Sequence, residues 1–250
     1  MNRFPRLPLA SALLLALLTG NIVGTASSAA ATATMTGIVR NSAGQPVPGA
    51  SIFAGHTVYF NTNLLAKSGA DGRYRIDLNG PAGSYYAGGQ VTATLDGHRY
   101  TFDLLPDSTA PFNVTKGAVR NFTWKLTGTK PDGQKVGATV TVYADFFDPG
   151  LLDWIPNIEL ILTPTGPRID GSPGVEVRGT IKQTPDGQEG LVDVPLGRYA
   201  ISARYVPKGG SPVKLTIRAR NNGEFGPSVA SFFSQRGSGQ IMEVEVSRER

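Results

Sequence analysis

The sequence predicts an all-β protein: two tandem antiparallel β-sandwich domains behind an export signal. Three observations carry that expectation. Apolar residues alternate with polar ones at a period of two in segment after segment, as half-buried strands require. Glycine- and proline-containing turns separate those segments. No segment has the 3.6-residue apolar period of a convincing amphipathic helix.

Taken in order, the chain opens on a signal. Arg3 and Arg6 form a basic start, Leu7 to Leu18 contains a Leu- and Ala-rich apolar run, and Ala-x-Ala cleavage candidates follow at Ala29/Ala31 and Ala31/Ala33. The run falls short of the roughly 20 apolar residues a bilayer span needs. Residues 1–33 therefore read as a signal peptide. The mature protein is expected to be secreted or periplasmic, with no membrane segment after signal removal.

The first domain is expected over residues 34–127. Thr36-Gly37-Ile38-Val39 begins a strand. Gly44-Gln45-Pro46-Val47-Pro48-Gly49 turns the chain into Ala50-Ser51-Ile52, and Asp71-Gly72 turns it again into Arg73-Tyr74-Arg75-Ile76. Tyr74, Ile76 and Leu78 alternate with Arg73, Arg75 and Asp77, so one face is apolar and the other wet. Tyr100/Phe102/Leu104 and Phe122/Trp124/Leu126 repeat the pattern. Residues 128–135, polar and carrying Gly and Pro, are the expected linker.

The second domain is expected over residues 136–250. Val140 and Val142 start it, and the later apolar rows are Ile158/Leu160/Leu162, Tyr199/Ile201/Ala203/Tyr205, Val213/Leu215/Ile217 and Met242/Val244/Val246. Strands of this length between turns suggest a second sandwich. A faint echo links the halves: Asp71-Gly72-Arg73-Tyr74-Arg75-Ile76 compares with Gly197-Arg198-Tyr199-Ala200-Ile201. A single shared tripeptide leaves duplication open.

The turn-and-strand series over residues 35–80 resembles the carboxypeptidase regulatory-like domain, a prealbumin-like sandwich within a carbohydrate-binding-like fold group. The second half is similar to that family's closing pattern. There Leu191-Val192-Asp193-Val194 runs into Pro195-Leu196-Gly197-Arg198-Tyr199, a Pro-x-Gly-x-Tyr that opens the next strand. In the first half the Gly-rich stretch 79–89 departs from the pattern, with Gly83-Ser84-Tyr85-Tyr86 in the corresponding place. The resemblance implies prealbumin- or immunoglobulin-like sandwiches, a binding or structural role rather than peptidase activity, and a glycan as the first ligand to test. Fold analogy does not by itself establish function.

Composition narrows the classes. The chain has no cysteine, hence no disulfides and no thiolate metal sites, which leans towards a bacterial envelope or secreted protein. The formal charge of +5 falls to +3 once Arg3 and Arg6 leave with the signal, too small a surplus for a nucleic-acid footprint. His56 and His98 are the two histidines, and neither has a Glu at metal-ligand spacing. Both read as exposed loop or strand-edge residues. No Gly-x-Ser-x-Gly elbow or phosphate cradle is present. No catalytic residue, metal site or cofactor is expected.

The remaining signal is the segment 146–156, Phe-Phe-Asp-Pro-Gly-Leu-Leu-Asp-Trp-Ile-Pro, long for a hairpin connection and apolar for a loop. It is either a lid over one end of the sandwich or a patch presented to a partner. Phe146, Phe147, Leu152 and Trp154 are the candidate binding residues, since aromatics anchor interfaces and stack on sugars. The expected partner is a glycan or an envelope protein. Asp145, Asp148 and Asp153 lack calcium-loop spacing and read as solvated charges. The row Lys214/Thr216/Arg218/Arg220 reads as a charged edge strand, or as a shallow contact for an acidic polymer.

Overall fold

The computed structural model describes residues 33–184, 187–237 and 239–248, so the expected signal peptide lies outside the described residues except for Ala33. The protein is an all-β sandwich structure. Seven strands lie before residue 128: β1 (Thr34–Asn41), β2 (Ser51–His56), β3 (Asn63–Lys67), β4 (Arg73–Asp77), β5 (Ser84–Leu95), β6 (His98–Asp103) and β7 (Phe122–Trp124). Eight more follow residue 135: β8 (Ala138–Ala144), β9 (Ile158–Arg168), β10 (Val177–Thr180), β11 (Glu189–Val194), β12 (Gly197–Tyr205), β13 (Val213–Ala219), β14 (Asn222–Gly226) and β15 (Gly239–Arg248). Short pairings of two or three residues extend the sheets.

The same strand order occurs twice. In the first block β1 pairs antiparallel with β4 and parallel with β7. Facing it, the order is β3-β2-β5-β6. In the second block β8 pairs antiparallel with β11 and parallel with β15, and the facing order is β10-β9-β12-β13. Here β13 also pairs with β15, so the two layers join into one curled sheet. Its ends meet as well. The chain pairs with β9 through β10, buries Ile181, then pairs with β11 through Lys182 and Gln183. In each block the first strand runs parallel to the last, and in the first block Ala118–Val119 also pairs parallel with β1.

Alternation places the core where the sequence indicates. Met35, Val39, Ile52, Tyr74, Ile76, Tyr85, Tyr100, Phe102, Phe122 and Trp124 fill the first block; Val140, Val142, Leu160, Leu162, Ile201, Leu215, Ile217 and Val244 fill the second.

A further likeness is chemical. Pro81-Ala82-Gly83-Ser84-Tyr85 and Pro195-Leu196-Gly197-Arg198-Tyr199 sit at equivalent crossings, from β4 to β5 and from β11 to β12. The buried Tyr85 hydroxyl donates to the Pro81 carbonyl at 3.0 Å, and the Tyr199 hydroxyl to the Pro195 carbonyl at 2.8 Å. This is a tyrosine corner: a side chain that ties the chain back to its own backbone as it changes layers. Burial raises both phenols above their ordinary pKa, so both stay protonated as donors. The internal repeat left open by a shared tripeptide is thus a repeat of topology and of corner chemistry.

The two blocks meet through specific bonds, and the described residues pack as one compact unit. Tyr100 Oη donates to the Phe233 carbonyl at 2.6 Å, and His98 stacks on Phe232 with ring centroids 4.2 Å apart. Asp193, at φ 65°, accepts from Gly128 N at 2.9 Å and Gly137 N at 3.0 Å, pinning the segment between the blocks from both ends. Arg198 Nε donates to Asp96 Oδ1 at 2.7 Å.

His56 is not an exposed residue. It is buried at the end of β2, where Nδ1 accepts from Val58 N at 3.0 Å and Tyr59 N at 3.1 Å. With Nδ1 engaged as the acceptor, Nε2 lies 3.3 Å from the Ala82 carbonyl oxygen and is placed to donate to it. His98 is exposed, as expected.

Each corner hydroxyl should contribute to stability separately. Tyr85→Phe and Tyr199→Phe each remove a hydrogen bond to a proline carbonyl, on the exposed Pro81 and the buried Pro195 respectively, so each should lower the unfolding free energy by about 0.5–2 kcal/mol, Tyr199→Phe by the more. Urea denaturation of the two variants checks this.

Candidate functional site

The apolar residues of the segment after β8 point two ways. The chain leaves β8 at Asp145 and winds into a 3-10 helix, Pro149–Asn157. Pro149 suits a helix start, where its missing N–H would have no partner. Leu151 and Ile155 are buried over the end of the second block. Phe146, Phe147 and Leu152 face out, at 86, 79 and 61 % exposure. Trp154 lies between these groups, half-buried, with its ring stacked on Tyr205 at 4.1 Å and 18°. The Arg248 guanidinium is 5.5 Å from the Trp154 ring centre.

Two carboxylates hold the segment, which corrects their reading as solvated charges. Asp145 is buried, accepting from Ser247 Oγ at 3.0 Å and from Phe147 N at 3.1 Å. Asp148 is buried just ahead of the helix and forms a two-pronged ion pair with Arg248, whose Nε donates at 2.7 Å. The hydrogen bond to Asp148 raises the Arg248 pKa further above its ordinary value. Asp153 alone of the three is exposed.

Beside this anchored segment lies a cleft of about 400 Å³. Phe147 forms one wall and Phe225, on β14, stands in the lining with it. The rest of the lining is Asp145, Thr216, Arg218, Glu224, Ser247 and Arg248; the Thr216 hydroxyl donates to the Ser247 carbonyl at 3.1 Å and the Ser247 hydroxyl to Asp145. Arg218 lies over the Phe225 ring at 4.4 Å and donates through Nε to Glu245 at 2.5 Å, so both side chains have restricted orientations. The lining thus combines two aromatic side chains with hydroxyl-bearing and charged residues.

The structure brings one sequence-predicted residue, Phe147, into this cleft. Phe146 packs edge-on against Phe147 at 5.4 Å, and Leu152 projects from the helix surface. Trp154 is half-buried outside this cleft, with its ring stacked on Tyr205. Phe225 was not singled out in the sequence; the available signal was an aromatic beside an Asn-Gly turn, Asn222-Gly223-Glu224-Phe225. A second apolar surface was also missed. Phe60 is 99 % exposed at the tip between β2 and β3, beside Val58 and Tyr59, with Leu65 and Tyr86 exposed nearby on the sheet. Gly55 and Gly88 lie under the Tyr86 and Phe53 rings, where a Cβ would come within 2.6 and 2.2 Å of ring atoms.

The row Lys214/Thr216/Arg218/Arg220 does not mark an edge. Strand β13 is interior, paired on one side with β12 and β14 and on the other with β15. Arg220 reaches Glu243 Oε1 at 2.7 Å and lies 3.5 Å from the centre of the Tyr143 ring. Arg236 reaches Glu243 Oε2 at 3.1 Å. Burial raises the Glu243 pKa, but hydrogen bonds from Arg220 and Tyr143, with the Arg220 and Arg236 charges, outweigh it and leave the carboxyl below its ordinary value.

Among the described residues no group of three or more His, Cys, Asp or Glu side chains is arranged to hold a metal ion, and no helix is long and apolar enough to cross a membrane. No family model matches the chain, and no curated protein matches it. Several solved structures align over most of it. The Bacillus anthracis TIE protein is 14% identical over 86% of this chain and 34% of its own, with a TM-score of 0.34. A streptococcal ancillary pilin is 9% identical over 89% of this chain and 64% of its own, at TM-score 0.28. The C-terminal fragment of the pilus adhesin SpaC from Lactobacillus rhamnosus GG is 10% identical over 86% of this chain and 98% of its own, at 0.25. The chain spans about a third of the length of the first of these. At these scores the likeness carries no argument about function.

Two predictions separate the roles in this region. Trp154→Ala should cost about 2 kcal/mol of stability through lost packing, whereas Phe147→Ala should change stability by no more than about 0.5 kcal/mol; thermal and urea denaturation compare them. Glu243, with its pKa lowered in the fold, contributes stability that is present above the unfolded carboxyl pKa and lost as pH falls through the folded value. Glu243→Gln should therefore flatten the acid side of the stability–pH curve, measured by urea midpoints between pH 3 and 7.

Proposed function

We propose that this chain is an exported, non-catalytic binding and scaffolding protein of the bacterial envelope, and that its ligand is a carbohydrate. In this reading it comprises a signal peptide, a first domain at 34–127, a linker at 128–135 and a second domain at 136–250. The observation that carries the reading is the cleft lined by Phe147 and Phe225 together with Thr216, Ser247, Arg218 and Arg248. A pyranose has apolar C–H faces, which pack on aromatic rings, and equatorial hydroxyls, which bond to planar charged groups. Asp145, Asp148 and Arg248 serve the fold by anchoring the lining, which favours recognition over chemistry. The signal-like N-terminus and lack of cysteine support export by a bacterium.

A second reading is an adhesin or structural spacer that binds a protein. Its support is the apolar surface outside the cleft: Phe146 and Leu152 on the capping segment, and Phe60 at the far hairpin. Exposed large apolar side chains grouped together mark interaction surfaces. A pilus-type Lys–Asn cross-link gains no support, since among the described residues no lysine is buried and the buried Asn41 side chain bonds to Gln45 and to backbone groups.

Binding of the mature protein to a glycan and cell-wall polysaccharide array, followed by calorimetry on the hits, tests the first reading. Phe147→Ala and Phe225→Ala should each weaken binding at least tenfold while the protein stays folded. Wild-type binding that survives both substitutions would exclude the cleft. Absence of any glycan binding would favour the protein-partner reading, with Phe146→Ala the next variant for pull-down.

A further inference from the structure

Strands β2 and β3 are joined by the tip 57–62, and one side chain sets its shape. His56, the last residue of β2, accepts through Nδ1 from the backbone N–H groups of Val58 at 3.0 Å and Tyr59 at 3.1 Å. These donors lie two and three positions further along the chain, the pair that an Asn or Asp side chain takes up when it caps a turn. The rest of the ring is enclosed. Nε2 lies 3.3 Å from the Ala82 carbonyl oxygen, in the crossing from β4 to β5. The Tyr85 ring meets the imidazole edge-on at 4.9 Å, and the Tyr59 ring lies tilted to it at 4.5 Å. Gly83, at φ 142°, makes room for it: a Cβ there would come within 2.6 Å of Nε2.

A neutral imidazole can serve these partners, since one nitrogen accepts and the other donates. Imidazolium cannot, because both of its nitrogens carry protons. A proton on Nδ1 would face two N–H donors where it needs an acceptor, so both bonds to the tip would be lost together. The titratable groups facing the ring are two phenols, Tyr59 from the tip and Tyr85 from β5. Burial raises the Tyr85 pKa, and its hydroxyl is already committed to the Pro81 carbonyl. The crossing 79–84 has no ionisable side chain. Among the described residues no carboxylate pairs with His56 to offset a positive charge.

The tip carries the most exposed large apolar side chain among the described residues. Phe60 is 99 % exposed, with Val58 and Tyr59 exposed beside it. The other hydrogen bonds of the tip are at its base: His56 N donates to the Thr62 carbonyl, and Thr57 donates through N and Oγ1 to the Ser84 carbonyl. Residues 58–60 therefore depend on His56 for their arrangement.

We propose that His56 is a pH-sensitive latch on this tip. The neutral ring holds Val58, Tyr59 and Phe60 in one arrangement; the protonated ring releases them while the strands beneath stay paired. The Phe60 surface thus has a defined shape until the surroundings turn acid. The latch is independent of the Phe147 cleft and of the carbohydrate reading.

The experiment is NMR of the isotopically labelled mature protein from pH 8 to pH 4, following the His56 ring carbons and the tip amides. The Val58 and Tyr59 amide shifts should move with the same midpoint as the His56 ring. Their exchange protection should fall about tenfold across it, while amides of β2 and β5 keep theirs. In His56→Asn the side-chain oxygen accepts from the same two N–H groups and takes up no proton, so the tip amides should hold their shifts throughout. His98→Asn leaves His56 as the one histidine, identifies its ring signals and should behave as wild type. Tip amides that stay put while the His56 ring titrates overturn the latch. So does a ring that titrates only as the whole protein unfolds, or a tip transition that persists in His56→Asn. Should His56→Asn fail to fold, the ring and amide titrations of wild type and His98→Asn decide alone.

Discussion

The hydrogen bond from a buried tyrosine to the proline carbonyl four residues before it organises both blocks. A sandwich must carry its chain from one layer to the other without leaving buried polar groups unpaired. At β4–β5 and β11–β12 the answer is the same: proline fixes one torsion, glycine allows the turn, and the tyrosine ring fills the end of the core while its hydroxyl satisfies the carbonyl. The crossing sets which face of β5 and β12 is buried, because a shift of one residue would exchange the faces. From β12 that register passes to β13, and so fixes Lys214, Thr216 and Arg218 on the outer surface.

The candidate site inherits its rigidity from this frame. The capping segment is tied at three places: Leu151 and Ile155 in the core, Asp148 to Arg248, and Trp154 to Tyr205. Those bonds leave Phe147 projecting beside β14, with its backbone N–H held by Asp145. On the neighbouring face, the Arg218–Glu245 and Arg220–Glu243 pairs fix long side chains that would otherwise lose rotamer freedom on binding. A surface preorganised in this way has little rotamer freedom left to lose if a ligand binds there.

The fold was legible in the sequence because alternation at period two reports burial directly. Tyr74/Ile76, Tyr100/Phe102 and Phe122/Trp124 are all buried, with charged or polar residues between them. The Pro-x-Gly-x-Tyr corner was readable in the second half and obscured in the first by surrounding glycines. Burial of isolated polar residues was not readable. His56, Asp145 and Asp148 are buried because backbone N–H groups, a serine or an arginine distant in sequence complete their bonding, and spacing carries no trace of such partners. The capping segment was identifiable as unusual, but which of its residues face inward depends on the 3-10 turn, whose period differs from that of a strand. The pairing of β13 with β15, separated by the β14 hairpin, is likewise a long-range contact that turned an expected edge into the middle of a sheet.

The most direct test of the account is chemical-shift mapping of the isotopically labelled mature protein titrated with the tightest-binding oligosaccharide. The account predicts that perturbed amides cluster at Phe147, Thr216, Phe225 and Ser247, with the Tyr85 and Tyr199 corners unmoved. Perturbations centred instead on Phe60 and Tyr86, or spread through both cores, would contradict it.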